Sequence, residues 1–229
     1  ALLRPPGHHA TLEGAMGFCL FNNVAITAKY AINKYKLERI LVIDFDVHHG
    51  NGTQDTFYND PRVLYISTHQ YPHYPGTGGI DETGGGQGAG TTLNIPLPAG
   101  CGDSEYLKVF REIIIPAARH FKPQLVLVSA GYDAHWADEL AMMEMTVAGF
   151  ARMVRVIKEM ADKLCSGRLV FSLEGGYNLV GLSSSVRATL GVLLGSTTVE
   201  DPLGESPHRV EAQDITSLVE RIKEIHKLP

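Results

Sequence analysis

The chain has 229 residues, enough for one sizeable domain with its own core. Hydrophobic residues make up 44% and charged residues 20%, which excludes an intrinsically disordered chain. The net charge is -5 with no long basic run, so direct nucleic-acid binding is not expected, while a basic peptide or a polyamine stays open as a substrate.

Three cysteines, Cys19, Cys101 and Cys165, are far apart and odd in number. A disulfide framework or a cysteine zinc knot is therefore not expected, and a cytoplasmic location fits. No apolar stretch is long enough to span a membrane, so no membrane partner is expected. The chain opens on Ala-Leu-Leu-Arg-Pro-Pro without a Met and does not read as a signal peptide, which suggests a fragment.

In chain order, residues 23 to 36 are predicted to be helical. Ile40 to Asp44 then forms an apolar run without polar alternation, as expected of a parallel strand covered on both faces. Val63 to Ser67 is a further strand candidate. Gly76 to Gly90 is glycine-rich but lacks the G-K-[ST] ending of a phosphate cradle, and is read as a long surface loop near a site. Residues 103 to 121 suggest a helix that Pro116 should kink or interrupt. Leu125 to Ser129 is another buried strand. A helix follows from Thr146 as N-cap, with Phe150, Met153, Val154, Ile157 and Leu164 on one stripe and Gly167 as the stop. Leu169 to Leu173 is the next strand. Beyond Gly195 the tail carries Pro202, Gly204 and Pro207, then an amphipathic helix from about Asp214. Strand-helix alternation of this kind predicts a single α/β domain over residues 1 to 229, with a mainly parallel sheet flanked by helices.

The chemistry gathers where strands end. In Asp44-Phe45-Asp46-Val47-His48-His49 an extended backbone would turn Asp44, Asp46 and His48 to one side and Phe45 and Val47 to the other. Two carboxylates and an imidazole make a poor core and a good metal site. A catalytic zinc takes three protein ligands and leaves a position open. Asp46 and His48 could supply two, and the third should come from the C-terminal end of another strand. There the sequence offers Asp133 in Ser129-Ala130-Gly131-Tyr132-Asp133, and Tyr177 in Leu173-Glu174-Gly175-Gly176-Tyr177. Singly, each has a plainer reading: Asp133 as a helix cap, Tyr177 as a packed aromatic with a wet tip. Upstream, His8 and His9 follow a rigid Pro-Pro-Gly turn, and paired imidazoles beside a metal suit acid-base work.

In order, the segments R-P-P-G-H-H, G-F-C-L-F-N-N, D-F-D-V-H-H-G-N-G, P-G-T-G, A-G-Y-D and E-G-G-Y-N resemble the zinc-dependent histone deacetylase superfamily. That group also includes acetylpolyamine amidohydrolases and acetoin-utilisation proteins. The resemblance runs from Arg4 to Gly195, and Asn51 and Glu174 are more similar to the class II branch than to class I. It implies an arginase/deacetylase-like fold and removal of acetyl or acyl groups from lysine side chains. The alternatives are an acetylpolyamine amidohydrolase and a catalytically impaired fragment that only binds acyl-lysine.

By the same resemblance, Asp46, His48 and Asp133 are the ligands of Zn2+, with Fe2+ as the alternative. His9 is the general base, His8 its electrostatic companion, and Asp44 and Asn51 orient the two rings. Tyr177 polarises the amide carbonyl. Phe18 and Tyr74 wall the acyl-lysine channel, Gly17 offers a carbonyl to the substrate amine, and Leu140 stands at the rim. Structural K+ or Na+ ions are implied at Asp44, Asp46, His48, Ser67 and Thr68, and near Phe57, Asp60 and Val63. Asp138 and Glu139 would add acid at the rim. The implied partners are an acetyl-lysine protein or peptide, or an acetylated polyamine, with a homo-oligomer as a further expectation. The family also carries a segment before R-P-P-G-H-H that is absent here. Its absence predicts exposed apolar surface, an unpaired strand edge and weak activity of this portion alone.

Overall fold

The computed structural model describes residues 5–208 and 211–229. Arg4, where the resemblance begins, lies outside them. Five strands, β1 (Ile40–Asp44), β2 (Val63–Gln70), β3 (Thr92–Leu97), β4 (Leu125–Ala130) and β5 (Leu169–Leu173), form one sheet in the order β3-β2-β1-β4-β5. Every pairing is parallel. The sheet is flanked by α1 (Asn23–Tyr35), α2 (Asn51–Phe57), α3 (Asp103–Val109), α4 (Ile115–Phe121), α5 (Val147–Cys165), α6 (Leu179–Leu193) and α7 (Thr216–His226).

The uniformly apolar run of β1 is explained by its central place, because all five residues are buried. Its alternate side chains enter different cores. Leu41 and Ile43 pack with the buried stripe of α5, which includes Phe150, Met153, Val154 and Ile157. Ile40 and Val42 pack on the other face with Val24, Ala25, Ala28 and Ile32 of α1. Each fully buried Leu, Ile or Phe contributes about 1.5–3 kcal/mol relative to exposure. Thr146 caps α5 by accepting the Gly149 N–H, and the chain leaves that helix through left-handed Ser166 and Gly167.

Several features depart from the sequence expectation. Strand β3 was not foreseen: its Asn94 and Pro96 interrupt the apolar run, and a proline is tolerated there because β3 is an edge strand. The interruption expected at Pro116 falls earlier, as a π-helical turn at Phe110–Ile114. Pro116 follows directly in the first turn of α4, and since Ile114 and Ile115 are already helical, its missing N–H falls inside one continuous helical run. The glycine-rich stretch is not only surface loop. Gly78 is buried against the rings of His49 and His69. On α1 and the loop before it, Phe21, Ile26, Tyr30 and Tyr35 are exposed.

Register places the site. Asp44 stands between Ser67 of β2 and Ser129 of β4, and Ser129 stands beside Ser172 of β5. The segments that follow these positions therefore leave the same end of the sheet together, as ligand-bearing segments of parallel sheets do.

Candidate active site

Past the end of β1, Phe45 and Val47 turn into the core, and Phe45 packs edge-on against Tyr132 with ring centroids 5.8 Å apart. Asp44, Asp46 and His48 turn the other way, as alternation predicts. His48 Nδ1 lies 3.1 Å from Asp46 Oδ1 and 3.1 Å from Asp133 Oδ2. Among the described residues, ligand atoms of Asp46, His48 and Asp133 all lie within 4.8 Å of one another. Backbone amides fix the carboxylates from behind: Gly175 N–H donates to Asp46 Oδ2 at 2.7 Å and Val47 N–H to Asp133 Oδ1 at 3.0 Å. A Cβ at Gly175 would collide with both carboxylates, so the glycine after Glu174 serves close approach.

This donor set fits a divalent cation. Two fully buried carboxylates facing one imidazole need positive charge between them, and an oxygen-rich set with one nitrogen suits Zn2+ or Fe2+. The field is visible on the histidine itself. Burial pushes the His48 ring down, yet its hydrogen bonds to Asp133 and Asp46 outweigh that and hold it up to about 10. Burial and the neighbouring Asp46 charge push Asp133 up to about 6.

The paired histidines stand beside this group, with ring centroids 4.1 Å apart. His8 Nδ1 meets Asp44 Oδ2 at 3.1 Å, and Tyr65 Oη donates to the same Asp44 oxygen at 3.0 Å. His9 Nδ1 meets Asn51 Oδ1 at 2.8 Å, from the first residue of α2. The two environments drive the rings apart. Burial lowers His8, but the Asp44 and Asp46 charges prevail and raise it well above its ordinary value. Burial, reinforced by the His8 charge, lowers His9 to about 3. The two rings are thus pushed in opposite directions, the separation on which acid-base assignments rest.

These groups open into a cavity of about 400 Å³ lined by, among others, His8, His9, Gly17, Phe18, Tyr74, Leu140 and Tyr177. Asp44 and Asn51 stand behind the lining, as the partners of its two histidines. Phe18 and Tyr177 pack edge-on at 5.7 Å, and Tyr74 packs edge-on against His9 at 5.1 Å. Gly17, with φ 59°, lets the chain pass where a Cβ would strike the His9 ring. Phe18, Tyr74 and Leu140 are 66%, 45% and 43% exposed, which puts them at the mouth. Ser67 and Thr68 are fully buried beside Asp44, and Thr68 Oγ1 donates to the Asp44 carbonyl at 3.5 Å. Around Phe57, Asp60 and Val63, the carbonyls of Phe57 and Asp60 accept the N–H groups of Asp60 and Val63.

One expectation is corrected. Asp138 is not rim acid. It is 4% exposed, and its Oδ2 accepts the backbone N–H groups of Tyr177 at 2.7 Å and Asn178 at 2.9 Å. Its other oxygen accepts Leu140 N–H at 3.1 Å. Only Glu139 of that pair is exposed. A further lining residue was missed: His73 stacks on His48 at 5.2 Å and donates from Nε2 to the Leu140 carbonyl at 2.9 Å. Its signal lay in the aromatic-rich Tyr71-Pro72-His73-Tyr74, where only Tyr74 was singled out.

Residues 1–193 match the model of the histone deacetylase domain. The chain is 52% identical to histone deacetylase 10, chloroplastic, of Oryza sativa subsp. japonica, over all of this chain and 52% of that protein. It is also 52% identical to a probable deacetylase of Archaeoglobus fulgidus, over 79% of this chain and 50% of that one. The crystal structure of the HDA15 HD domain superposes with a TM-score of 0.84 at 40% identity, covering 97% of this chain and 60% of the other. The chain thus spans about half the length of the curated relatives it matches. Its motifs, its parallel sheet and the residues gathered at the sheet's end converge on one conclusion: the chain belongs to the histone deacetylase domain family.

Proposed function

We propose that this domain removes acetyl or related acyl groups from lysine side chains by zinc-dependent amide hydrolysis. The observation that carries the reading is the pair His8 and His9, hydrogen-bonded to Asp44 and Asn51 and set beside the Asp46-His48-Asp133 group at the base of a largely aromatic cavity. Asp46, His48 and Asp133 would hold Zn2+, with Fe2+ as the alternative ion. Bound there, a divalent cation supplies Lewis acidity that polarises a carbonyl and acidifies water.

The remaining steps belong to the chain's own groups. Asn51 Oδ1 accepts a hydrogen bond, so the His9 proton sits on Nδ1 and Nε2 is left as the base. His9 takes the proton of the attacking water as oxygen bonds to the amide carbon. The Tyr177 hydroxyl donates to the carbonyl oxygen as negative charge develops there. The carbon-nitrogen bond then breaks, His9 returns the proton to the leaving amine, and acetate and lysine are released. His8, held cationic by Asp44, stabilises the added negative charge. Phe18 and Tyr74 flank the aliphatic stem, with the Gly17 carbonyl as acceptor for the amide N–H.

The apolar rim residue Leu140 favours acyl-lysine over an acetylated polyamine, and the burial of Asp138 removes one of the two acids that would attract a polycation. Buried Ser67 and Thr68 beside Asp44 suit a structural K+ or Na+ ion. The test is steady-state hydrolysis by the zinc-loaded protein. Acetyl-lysine peptide should exceed acetylspermidine in kcat/KM by at least about tenfold. The reverse preference would make the domain a polyamine amidohydrolase, and no turnover of either would make it a binding fragment.

A further inference from the structure

Glu174 is fully buried at the end of β5, yet it belongs neither to the Asp46-His48-Asp133 group nor to the cavity lining. Its Oε2 accepts two backbone amides from the loop that bears the paired histidines: Gly7 N–H at 2.6 Å and His8 N–H at 3.1 Å. Its Oε1 accepts the Ser129 hydroxyl at 3.0 Å. Its own N–H is bound by the Ala130 carbonyl of β4 at 3.0 Å, so the carboxylate projects from a rigid base. Gly7 and His8 lie outside any helix or strand, and their amides have no ladder to join.

We infer that Glu174 is a positioning residue of this site, fixing the backbone from which His8 and His9 project. The inference rests on the deacetylase reading for its kinetic consequence, though not for its geometry. One carboxylate oxygen sets the His8 backbone, and both rings have narrow targets beyond it: Asp44 for His8 and Asn51 for His9. On the other side of the same loop, Thr53 N–H of α2 donates to the His8 carbonyl at 3.1 Å. The loop is therefore held between α2 and β5. Loss of the β5 side frees the histidines from both partners, and none of the carboxylate hydrogen bonds lost with it belongs to Asp46, His48 or Asp133. A base displaced by an ångström loses on the order of 10²-fold in rate.

Reach and charge can be separated. Glu174→Gln keeps an oxygen at the same length for both amides, and its NH2 can donate to Ser129, but it removes the charge. Glu174→Asp keeps the charge and shortens the reach by one methylene. Both are to be made in the full chain, loaded with zinc and compared with the unaltered protein at pH 8. Three quantities are read: zinc content, kcat and KM on an acetyl-lysine peptide, and hydrogen exchange of the Gly7 and His8 amides. Positioning predicts one zinc per chain throughout, with Glu174→Gln within about fivefold of the unaltered kcat. Glu174→Asp should fall on the order of 10²-fold in kcat with KM changed less than about threefold. The two amides should exchange slowly in the unaltered protein and in Glu174→Gln, and fast in Glu174→Asp. A collapse of Glu174→Gln with Glu174→Asp intact would overturn the inference in favour of a charge effect on His8. Equal exchange in all three proteins would overturn it as well. If the unaltered protein turns over no acyl-lysine peptide, the deacetylase reading fails, and the exchange comparison alone decides the role of Glu174.

Discussion

Asp138 Oδ2 accepts the backbone N–H of Tyr177 at 2.7 Å, so the residue proposed to polarise the substrate is held by an acid 39 positions away. The same oxygen takes Asn178 N–H at the start of α6, and the other takes Leu140 N–H. Asp138→Ala leaves these amides without their acceptor. A loss of about 1–3 kcal/mol in stability is expected, together with at least about a tenfold drop in kcat at unchanged zinc content. Thermal melts, metal analysis and kinetics on one preparation check all three. Unchanged turnover would mean that the Tyr177 loop keeps its shape without this clamp.

Tyr177→Phe removes only the hydroxyl and keeps the ring that packs on Phe18. Zinc content should stay at one per chain while kcat falls on the order of 10²–10³-fold, the usual cost of losing a donor to a developing oxyanion. Near-normal turnover would take Tyr177 out of the mechanism.

His69 gives a pH prediction away from the metal-binding group. Burial, aided by His49, pushes its imidazole well below the ordinary value. Its Nε2 donates to the Gly78 carbonyl at 2.9 Å, and its Nδ1 accepts from the Ser67 hydroxyl at 2.9 Å, an arrangement that suits the neutral ring. The unfolded chain binds a proton here below pH ~6.5, while the folded chain does not until much lower pH. The stabilisation is thus complete above ~6.5 and is lost as pH falls from there toward the folded pKa. Nitrogen NMR of the imidazoles should show His69 as the Nε2–H tautomer with no titration between pH 8 and 5.5. A midpoint near the ordinary imidazole value would refute this.

The central strands were legible because burial on both faces leaves an unbroken apolar signature, as in Ile40-Leu41-Val42-Ile43. The grouping of Asp44, Asp46 and His48 was legible because alternate residues share a side, and Phe45 and Val47 keep to the core although the chain bends at 46–48. Strand β3 was hidden by Asn94 and Pro96, residues that an edge position tolerates. Helix α6 was hidden by its glycines and serines, since its place depends on packing against α5 rather than on intrinsic preference. Asp138 was misread because a sequence shows a charge but not the amides that surround it. For Glu174 the residue was visible and its partners were not: Gly7 lies 167 positions away and meets it only through the sheet. His73 went unread because its contacts are with a ring and a carbonyl that only the fold brings near.

The proposed hydrolysis depends on a single divalent ion held by Asp46, His48 and Asp133. The most direct test is the metal content of the purified full chain and of Asp133→Ala, measured after zinc loading and exhaustive dialysis. One zinc per chain is expected in the unaltered protein, none retained by Asp133→Ala, and hydrolysis of acetyl-lysine peptide only by the former. Stoichiometric zinc in Asp133→Ala, or two transition-metal ions per unaltered chain, would contradict it.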